Sequence, residues 1–204
     1  MTRPAAQRIG IFGGAFDPPH AAHVALGQAA VTQLHLDALR IIPTGQAWHK
    51  PRALTPALHR LAMARLAFAA LSQAVVDNRE THRHGPSYTY ETLRELHAES
   101  PASQWFLIIG ADQARDLTTW QQWQEIVQSA TICVADRPYL TGPDVLFDAE
   151  ALYPDRFVHL QLPALDIDAT AIRRALAAGQ DVTALVGAGV ARYIADHSLY
   201  QTAS

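Results

Sequence analysis

The chain has 204 residues, of which 49% are hydrophobic and 17% charged, with a formal net charge of -3. This length suits one α/β domain with a sizeable core, or one domain with a small appendage. The weak negative charge excludes a global field that would draw the chain to nucleic acid or a membrane surface, so any anion binding must be local.

The single cysteine and the lack of long apolar runs indicate the cellular compartment of the protein. Cys133 lies in a short apolar stretch, and a lone thiol without a framework of pairs is typical of a reducing cytosol. No apolar run reaches the ~18 residues of a membrane-spanning helix. Residues 1–7 lack the apolar core of a signal peptide. We therefore predict a cytoplasmic protein with neither nucleic acid nor a membrane as partner.

Short apolar runs alternate with helical patterns along most of the chain. This alternation predicts a Rossmann-like, doubly wound parallel sheet of the α/β class, with its ligand cleft at the carboxyl ends of the strands. The predicted strands cover 8–12, 38–43, 74–77, 105–110, 131–135 and 157–162. The predicted helices between them cover 20–34, 56–71, 88–99 and 120–129.

The last part of the chain has a different pattern. Two helices are predicted at 168–178 and 189–197, with no further strand between them. We therefore predict a Rossmann-like domain over 1–165 and a small C-terminal helical subdomain over 166–204. Residues 139–150 mix Gly, Pro and acids, which predicts a surface loop with a short helix.

The most informative segment follows the first predicted strand and reads GIFGGAFDPPHAAH over 10–23. A glycine turn leads into a helix in which His20 and His23 share one face. The first turn of a helix has free N–H groups and the positive end of the helix dipole, so it binds anions. A turn of the same kind with two solvated histidines is the alternative interpretation.

This segment resembles the signature of the HxGH nucleotidyltransferases, G-G-T-F-D-P-x-H-x-G-H. The matching residues are Gly13, Gly14, Phe16, Asp17, Pro18, His20 and His23. Ala15 replaces the usual threonine, and Ala22 replaces a glycine that lets a nucleotide lie close to the helix. The resemblance implies an ATP site at Gly13, Gly14, Phe16, His20 and His23.

The middle of the chain is similar to one branch of that superfamily, the nicotinate-nucleotide adenylyltransferases. DNRE at 77–80, GPSYTYETL at 85–93 and GAD at 110–112 match its patterns. His49-Lys50-Pro51 and Arg137-Pro138 are similar to further family segments. The resemblance implies that the second substrate binds at Lys50, Thr89, Asp112, Trp120 and Arg137.

Four of these residues have a specific expected part in binding. Lys50 is implied to contact phosphate, and backbone N–H groups near Thr89 and Gln121 to meet the nicotinate carboxylate. Asp112 is an acceptor for ribose hydroxyls, and Trp120 offers a flat face to the pyridine ring. Core packing for Trp120 and a solvated charge for Lys50 are the alternatives, and we favour the functional roles for both.

Two further features are interpreted as structural. Trp123 lies three residues after Trp120 and is predicted to pack in the core. His82 and His84 lack nearby cysteine or carboxylate clusters, so we predict an exposed loop and no protein metal site.

The second motif, Ile167 to Arg173, resembles the family pattern I-S-S/A-T-x-x-R. Thr170 and Arg173 share a helix face and offer a hydroxyl and a guanidinium to a polyphosphate. Asp168 stands where the family has serine; both residues cap helices, but a carboxylate either repels triphosphate or helps to hold Mg²⁺. An N-capped helix with Arg173 and Arg174 solvated is the alternative.

The resemblance implies adenylyl transfer from ATP to nicotinate mononucleotide, giving deamido-NAD and pyrophosphate in NAD biosynthesis. The attacking phosphate is already ionised, so catalysis needs positioning and charge neutralisation rather than a base. The implied catalytic residues are His20, His23, Lys50 and Arg173, with Mg²⁺ accompanying ATP.

Other functions stay open at this point. One is a related transferase that uses nicotinamide mononucleotide. Another is a non-catalytic nucleotide-binding or sensor module, which Ala15, Ala22 and Asp168 favour because they depart from the motifs. A monomer and a homo-oligomer are both compatible with the sequence.

Overall fold

The computed structural model describes residues 6–45, 54–135, 147–162 and 165–201. In this part of the chain, one parallel sheet contains the strands β1 (Arg8–Gly14), β2 (Ala38–Pro43), β3 (Ala74–Val76), β4 (Gln104–Gly110), β5 (Thr131–Ala135) and β6 (Phe157–Leu160). Their order is β3-β2-β1-β4-β5-β6. The order reverses between β1 and β4, and such a switch point opens a crevice for ligands. The predicted Rossmann-like fold is confirmed.

Helices connect the strands and cover both faces of the sheet. They are α1 (Ala21–Gln33), α2 (Ala57–Ala67), α3 (Thr89–Glu99), α4 (Ala111–Arg115), α5 (Trp123–Ser129), α6 (Asp148–Leu152), α7 (Ala169–Ala177), α8 (Thr183–Val186) and α9 (Ala188–Asp196). None of the helices in these ranges combines the length and the apolar character that a bilayer crossing demands.

Alternate residues of the strands point to opposite sides of the sheet, and each side has its own core. Ile11 and Ile109 pack with Leu93 of α3 and Ile126 of α5. On the other side, the residues packed together include Phe12, Ile108, Leu26, Ala64 and Phe68, so α1 and α2 cover this face. Burial on both faces explains why the strands are nearly continuous apolar runs.

Several predicted boundaries are wrong by a few residues. The helix predicted over 56–71 ends at Ala67, and the strand predicted over 74–77 ends at Val76. The helix predicted over 120–129 begins only at Trp123, because Gln122 has a left-handed backbone with φ of 54°. That turn separates Trp120 from α5.

The C-terminal helices form a third cluster of buried residues. Ile172, Val186, Val190 and Ile194 pack with Met63, which belongs to α2. The C-terminal helices therefore pack against α2, one of the helices that cover the sheet. The division of the chain into domains at 165 and 166 stays a prediction. Of the surface loop predicted over 139–150, residues 139–146 lie outside the described ranges.

Candidate active site

A cavity of about 500 Å³ lies at the carboxyl ends of β1 and β4, where the strand order reverses. Its volume is in the range of small-molecule sites. Predicted site residues that line it are Gly13, Gly14, Thr89, Asp112 and Trp120. These residues come from four separate segments of the sequence, so the fold brings together groups that the motifs had assigned one by one. Lys50 and Arg137 lie outside the described residues.

The two tryptophans have different surroundings. Trp120 lines the cavity while part of its side chain packs against the neighbouring core. Trp123 is packed against the same core and meets Tyr153 edge-to-face, with ring centroids 6.0 Å apart. The predicted core packing of Trp123 is confirmed. A stacking role for Trp120 stays a prediction, with its ring on the wall that such a role requires.

The residues that line the cavity include Glu80, which has no role assigned from the sequence. Glu80 is buried and accepts a hydrogen bond from the Thr92 hydroxyl at 2.8 Å. Arg83 donates to the same hydroxyl at 3.2 Å. Burial raises the pKa of Glu80, while Thr92 and Arg83 oppose the shift. Glu80 is the last residue of the D-x-R-E match, but the motif alone does not tell whether a residue lines a cavity or only supports the fold.

Asp77 and Arg79 of the same motif support the fold. Arg79 donates to the Asp77 carboxylate at 2.8 Å and to Glu99 of α3 at 3.1 Å. Burial opposes ionisation of Asp77, but the hydrogen bonds from Arg79 outweigh it and lower the pKa of this carboxyl. These contacts tie the end of β3 to α3, whose first residue, Thr89, reaches the cavity. His82 and His84 are exposed, as predicted, although His82 ends a short 3-10 helix.

The histidine pair lies at the beginning of α1. His20 precedes the helix as its N-cap, with an extended backbone, rather than being its first residue as predicted. Its backbone N–H donates to His23 Nδ1 at 3.2 Å, and the two ring centroids are 3.7 Å apart. Because His23 Nδ1 accepts this bond, Nε2 carries the proton of the neutral ring. The arrangement provides an N–H donor suited to a phosphate oxygen.

Phe16 shapes the turn between β1 and α1. Its backbone is left-handed, with φ of 48°, and its buried ring packs edge-to-face on His23 with centroids 5.1 Å apart. A Cβ atom added to Gly14 would approach the Phe16 ring to 3.1 Å, whereas one added to Gly13 would meet nothing within 4 Å. Gly14 therefore permits the close approach of Phe16, while the space beside Gly13 is open.

Asp17 joins the first motif to the second. This residue is only 3% exposed, and its carbonyl accepts a hydrogen bond from Arg173 Nη1 at 2.8 Å. Its carboxylate accepts from the Tyr200 hydroxyl at 2.6 Å and from the Thr55 N–H at 3.2 Å. The guanidinium of Arg173 also donates to the Thr170 hydroxyl at 3.0 Å. The two motifs, far apart in sequence, thus meet beside the histidine pair.

Asp168 is the N-cap of α7, as predicted. Its Oδ1 accepts hydrogen bonds from the backbone N–H groups of Thr170 at 2.8 Å and Ala171 at 2.9 Å. The bond from Ala171, followed by that from Thr170, lowers the pKa of this carboxyl. The sequence predicts backbone donors for phosphate at this helix end. The N–H groups of Thr170 and Ala171 already donate to the Asp168 carboxylate. The side chains of Thr170 and Arg173 are therefore the donors that we expect to bind phosphate.

Sequence reasoning missed a buried arginine next to this junction. Arg60 of α2 is only 1% exposed and donates to the carbonyl oxygens of Thr55 at 2.8 Å, Ala15 at 2.9 Å and Gly45 at 3.2 Å. Burial lowers its pKa, while Asp17 and Tyr200 counteract that effect. An arginine in a helix is usually solvated, so no signal in a single sequence marks this one as buried.

Comparisons with known proteins found sequence relatives and a solved structure of similar fold. The cytidylyltransferase-like family model matches residues 11–175. A protein of Albidiferax ferrireducens, named a probable nicotinate-nucleotide adenylyltransferase, is 57% identical over 97% of this chain and 100% of its own length. A protein of Methylibium petroleiphilum with the same name is 42% identical over 95% of this chain and 92% of its own.

A solved structure has a similar fold. It is the Plasmodium falciparum nicotinic acid mononucleotide adenylyltransferase complexed with NaAD, with a TM-score of 0.78 and 18% identity. The similarity covers 95% of this chain and 97% of the other.

We expect Arg60→Met to destabilise the chain by about 3 kcal/mol, because three part-buried carbonyl groups lose a charged donor. Arg65→Met, at an exposed position of the same helix, is the matched control and should change stability by less than about 0.5 kcal/mol. Urea unfolding of both variants measures the difference. Equal effects would mean that the Arg60 contacts contribute nothing to stability.

Proposed function

The chain belongs to the nicotinate-nucleotide adenylyltransferases within the cytidylyltransferase-like family, and from this premise we propose that it transfers the adenylyl group of ATP to nicotinate mononucleotide. The products are deamido-NAD and pyrophosphate, and the reaction belongs to NAD biosynthesis. One observation carries the proposal: a cavity that Trp120 lines lies at Gly13, and a cluster of groups suited to binding phosphate lies at His20, at the other end of the same short segment from the end of β1 to the N-cap of α1.

The cavity is the proposed site of the acceptor. Trp120 stacks on the pyridine ring, and the backbone N–H groups near Thr89 and Gln121 bind the nicotinate carboxylate. Asp112 accepts hydrogen bonds from ribose hydroxyls. The positions of these four residues support the assignment, because all of them line the same cavity of about 500 Å³.

The donor cluster is the proposed site of the ATP phosphates. Gly13, Gly14 and Phe16 form the turn on which the nucleotide lies. His20 and His23 donate to phosphate oxygens, and the Thr170 hydroxyl assists them. Arg173 supplies a fixed positive charge. Lys50 and Arg137 are proposed to neutralise further phosphate charge on the acceptor side.

The reaction needs no covalent intermediate. An oxygen of the 5′-phosphate of nicotinate mononucleotide forms a bond to the α-phosphorus of ATP, and the bond to pyrophosphate breaks. No proton has to be removed from the nucleophile, so the protein contributes alignment of the reacting groups and stabilisation of the charge that develops. Imidazole N–H donors and a guanidinium held in place before the reaction suit that task.

Mg²⁺ is proposed to enter with ATP. The described residues include no group of three or more His, Cys, Asp or Glu that could hold a metal ion. Mg²⁺ in nucleotide sites is commonly bound by phosphate oxygens and water, with one or two carboxylates, and we propose that arrangement here. When bound, the ion neutralises charge on the triphosphate. Asp168 is the nearest candidate carboxylate in the second motif.

We also propose that the enzyme works in the cytoplasm. ATP and pyridine mononucleotides are intracellular metabolites. Cys133 is a free, buried thiol whose pKa is raised to about 12 by burial. Such an inert thiol is compatible with a reducing compartment.

Nicotinamide mononucleotide is a second candidate acceptor because of Glu80. Glu80 is among the residues that line the cavity, and an ionised carboxylate there would repel the nicotinate carboxylate but not an amide. Pyrophosphate release is therefore to be measured with ATP and, in separate reactions, nicotinate mononucleotide, nicotinamide mononucleotide and phosphopantetheine. We expect the highest kcat/KM with nicotinate mononucleotide. Nucleotide binding without turnover of any acceptor would indicate a sensor module instead.

We expect His23→Ala to lower kcat by about 10²-fold, the usual effect of losing a donor that is already positioned for the transition state. His82→Ala removes an exposed histidine outside the site and should leave kcat unchanged. Steady-state kinetics at saturating substrates provide the measurement. A fall of less than about threefold for His23→Ala would contradict the assignment.

Trp120→Ala should raise the KM for nicotinate mononucleotide much more than the KM for ATP. Stacking of a base on an aromatic side chain contributes ~1–3 kcal/mol, so an increase of about 5- to 100-fold is expected. Trp120→Phe keeps a ring face and should restore most of the affinity. Equal changes in both KM values would show that Trp120 only supports the fold.

Asp168→Ser should lower the KM for ATP by reducing repulsion of the triphosphate, with little change in stability because serine also caps helices. Asp168→Asn is the matched control, since it keeps the cap and removes the charge. Titration of Mg²⁺ at saturating ATP separates repulsion from metal binding, because a lost ligand would lower kcat and weaken the Mg²⁺ dependence. Identical curves and KM values for all three proteins would mean that Asp168 is a cap alone.

A further inference from the structure

The last described residues of the chain make a polar contact that no motif accounts for. Tyr200 follows α9 and donates its hydroxyl hydrogen to Asp17 Oδ1 at 2.6 Å, 183 positions away in the sequence. Its ring belongs to the third cluster of hydrophobic residues, and its oxygen lies 4.0 Å from Met63 Sδ. Burial and the bond to Asp17 raise the pKa of Tyr200 far above its usual range, so the phenol remains a donor at any pH at which the enzyme would work.

The acceptor of this bond is the residue that orders the proposed phosphate cluster. Asp17 lies between Phe16 and His20, and its carbonyl accepts from Arg173 at 2.8 Å. Its carboxylate is held from two directions, by Tyr200 and by the Thr55 N–H. Asp17 therefore links the Tyr200 hydroxyl, through its carboxylate, to the carbonyl that accepts from Arg173 and to the turn that leads to the histidines.

We propose that Tyr200 is a positioning residue for the ATP half of the site. Its hydroxyl fixes the Asp17 carboxylate, and Asp17 in turn fixes Arg173 relative to His20 and His23. Tyr200 itself touches no substrate in this arrangement. The proposal rests on the function proposed above, and it predicts an effect confined to ATP, because the residues that line the cavity make no contact with Tyr200 among the bonds described.

The same subdomain offers a matched control. The hydroxyl of Tyr193, which belongs to α9, lies 3.0 Å from Nδ1 of His59 in α2. Tyr193→Phe removes the hydroxyl contact between α9 and α2 and leaves Asp17 untouched. Tyr200→Phe removes the bond to Asp17 together with the weaker contact to Met63 Sδ. A purely structural role of Tyr200 would make the two variants behave alike.

The test compares the wild-type chain, Tyr200→Phe and Tyr193→Phe. Steady-state kinetics give KM for ATP, KM for nicotinate mononucleotide and kcat, and calorimetry gives the Kd of Mg·ATP. All measurements are made at a temperature at which urea unfolding shows each protein fully folded. For Tyr200→Phe we expect kcat/KM for ATP and the affinity for Mg·ATP to fall on the order of tenfold, as for a lost hydrogen bond to a charged group.

The KM for nicotinate mononucleotide should stay within about twofold of wild type for Tyr200→Phe, and Tyr193→Phe should change none of the values by more than that. Equal effects of the two variants, or equal changes in both KM values for Tyr200→Phe, would overturn the proposal. An inactive wild-type chain would contradict the proposed function instead. In that case the Kd of Mg·ATP still decides the role of Tyr200, because an unchanged Kd in Tyr200→Phe would refute it.

Discussion

The buried Asp17 is the residue on which the rest of the site depends. A carboxylate removed from water is stable only when donors surround it, and here the donors come from distant parts of the chain, Thr55 before α2 and Tyr200 after α9. Its carbonyl accepts from Arg173. The turn after β1 is therefore held by hydrogen bonds from Thr55, Arg173 and Tyr200. These contacts bring together two motifs separated by most of the sequence, and we propose that their side chains form one cluster of phosphate donors.

The sheet accounts for the other half of the site. Because the strand order reverses between β1 and β4, the loops that follow these strands diverge and leave a cavity with Gly13 on one side and Asp112 on the other. The left-handed turn at Gln122 separates Trp120 from α5, which puts an aromatic ring on the cavity wall instead of in a helix. In the proposed function, the acceptor with its flat ring and the donor with its chain of phosphates have separate binding surfaces, connected by the segment from Gly13 to His20.

Much of this could be predicted from the sequence, because the relevant signals are local. Apolar runs alternating with helical patterns predicted the six strands, and the i, i+3 spacing of His20 and His23 predicted their contact. The missed features are all long-range. The buried Arg60, the contact of Tyr200 with Asp17 and the cavity position of Glu80 depend on tertiary packing, and each of these residue types is usually exposed or ambiguous in a single sequence. Lys50 and Arg137 lie outside the described residues, and their roles stay predictions.

We propose that one site holds both substrates, with the pyridine ring in the cavity and the phosphates beside Asp17. A crystal structure of the chain with deamido-NAD would test this arrangement. We expect the pyridine ring to stack on Trp120, and phosphate oxygens to lie about 3 Å from the imidazoles of His20 and His23 or from the guanidinium of Arg173. A dinucleotide with its pyridine ring outside the cavity, or with its phosphates away from the histidine pair, would contradict it.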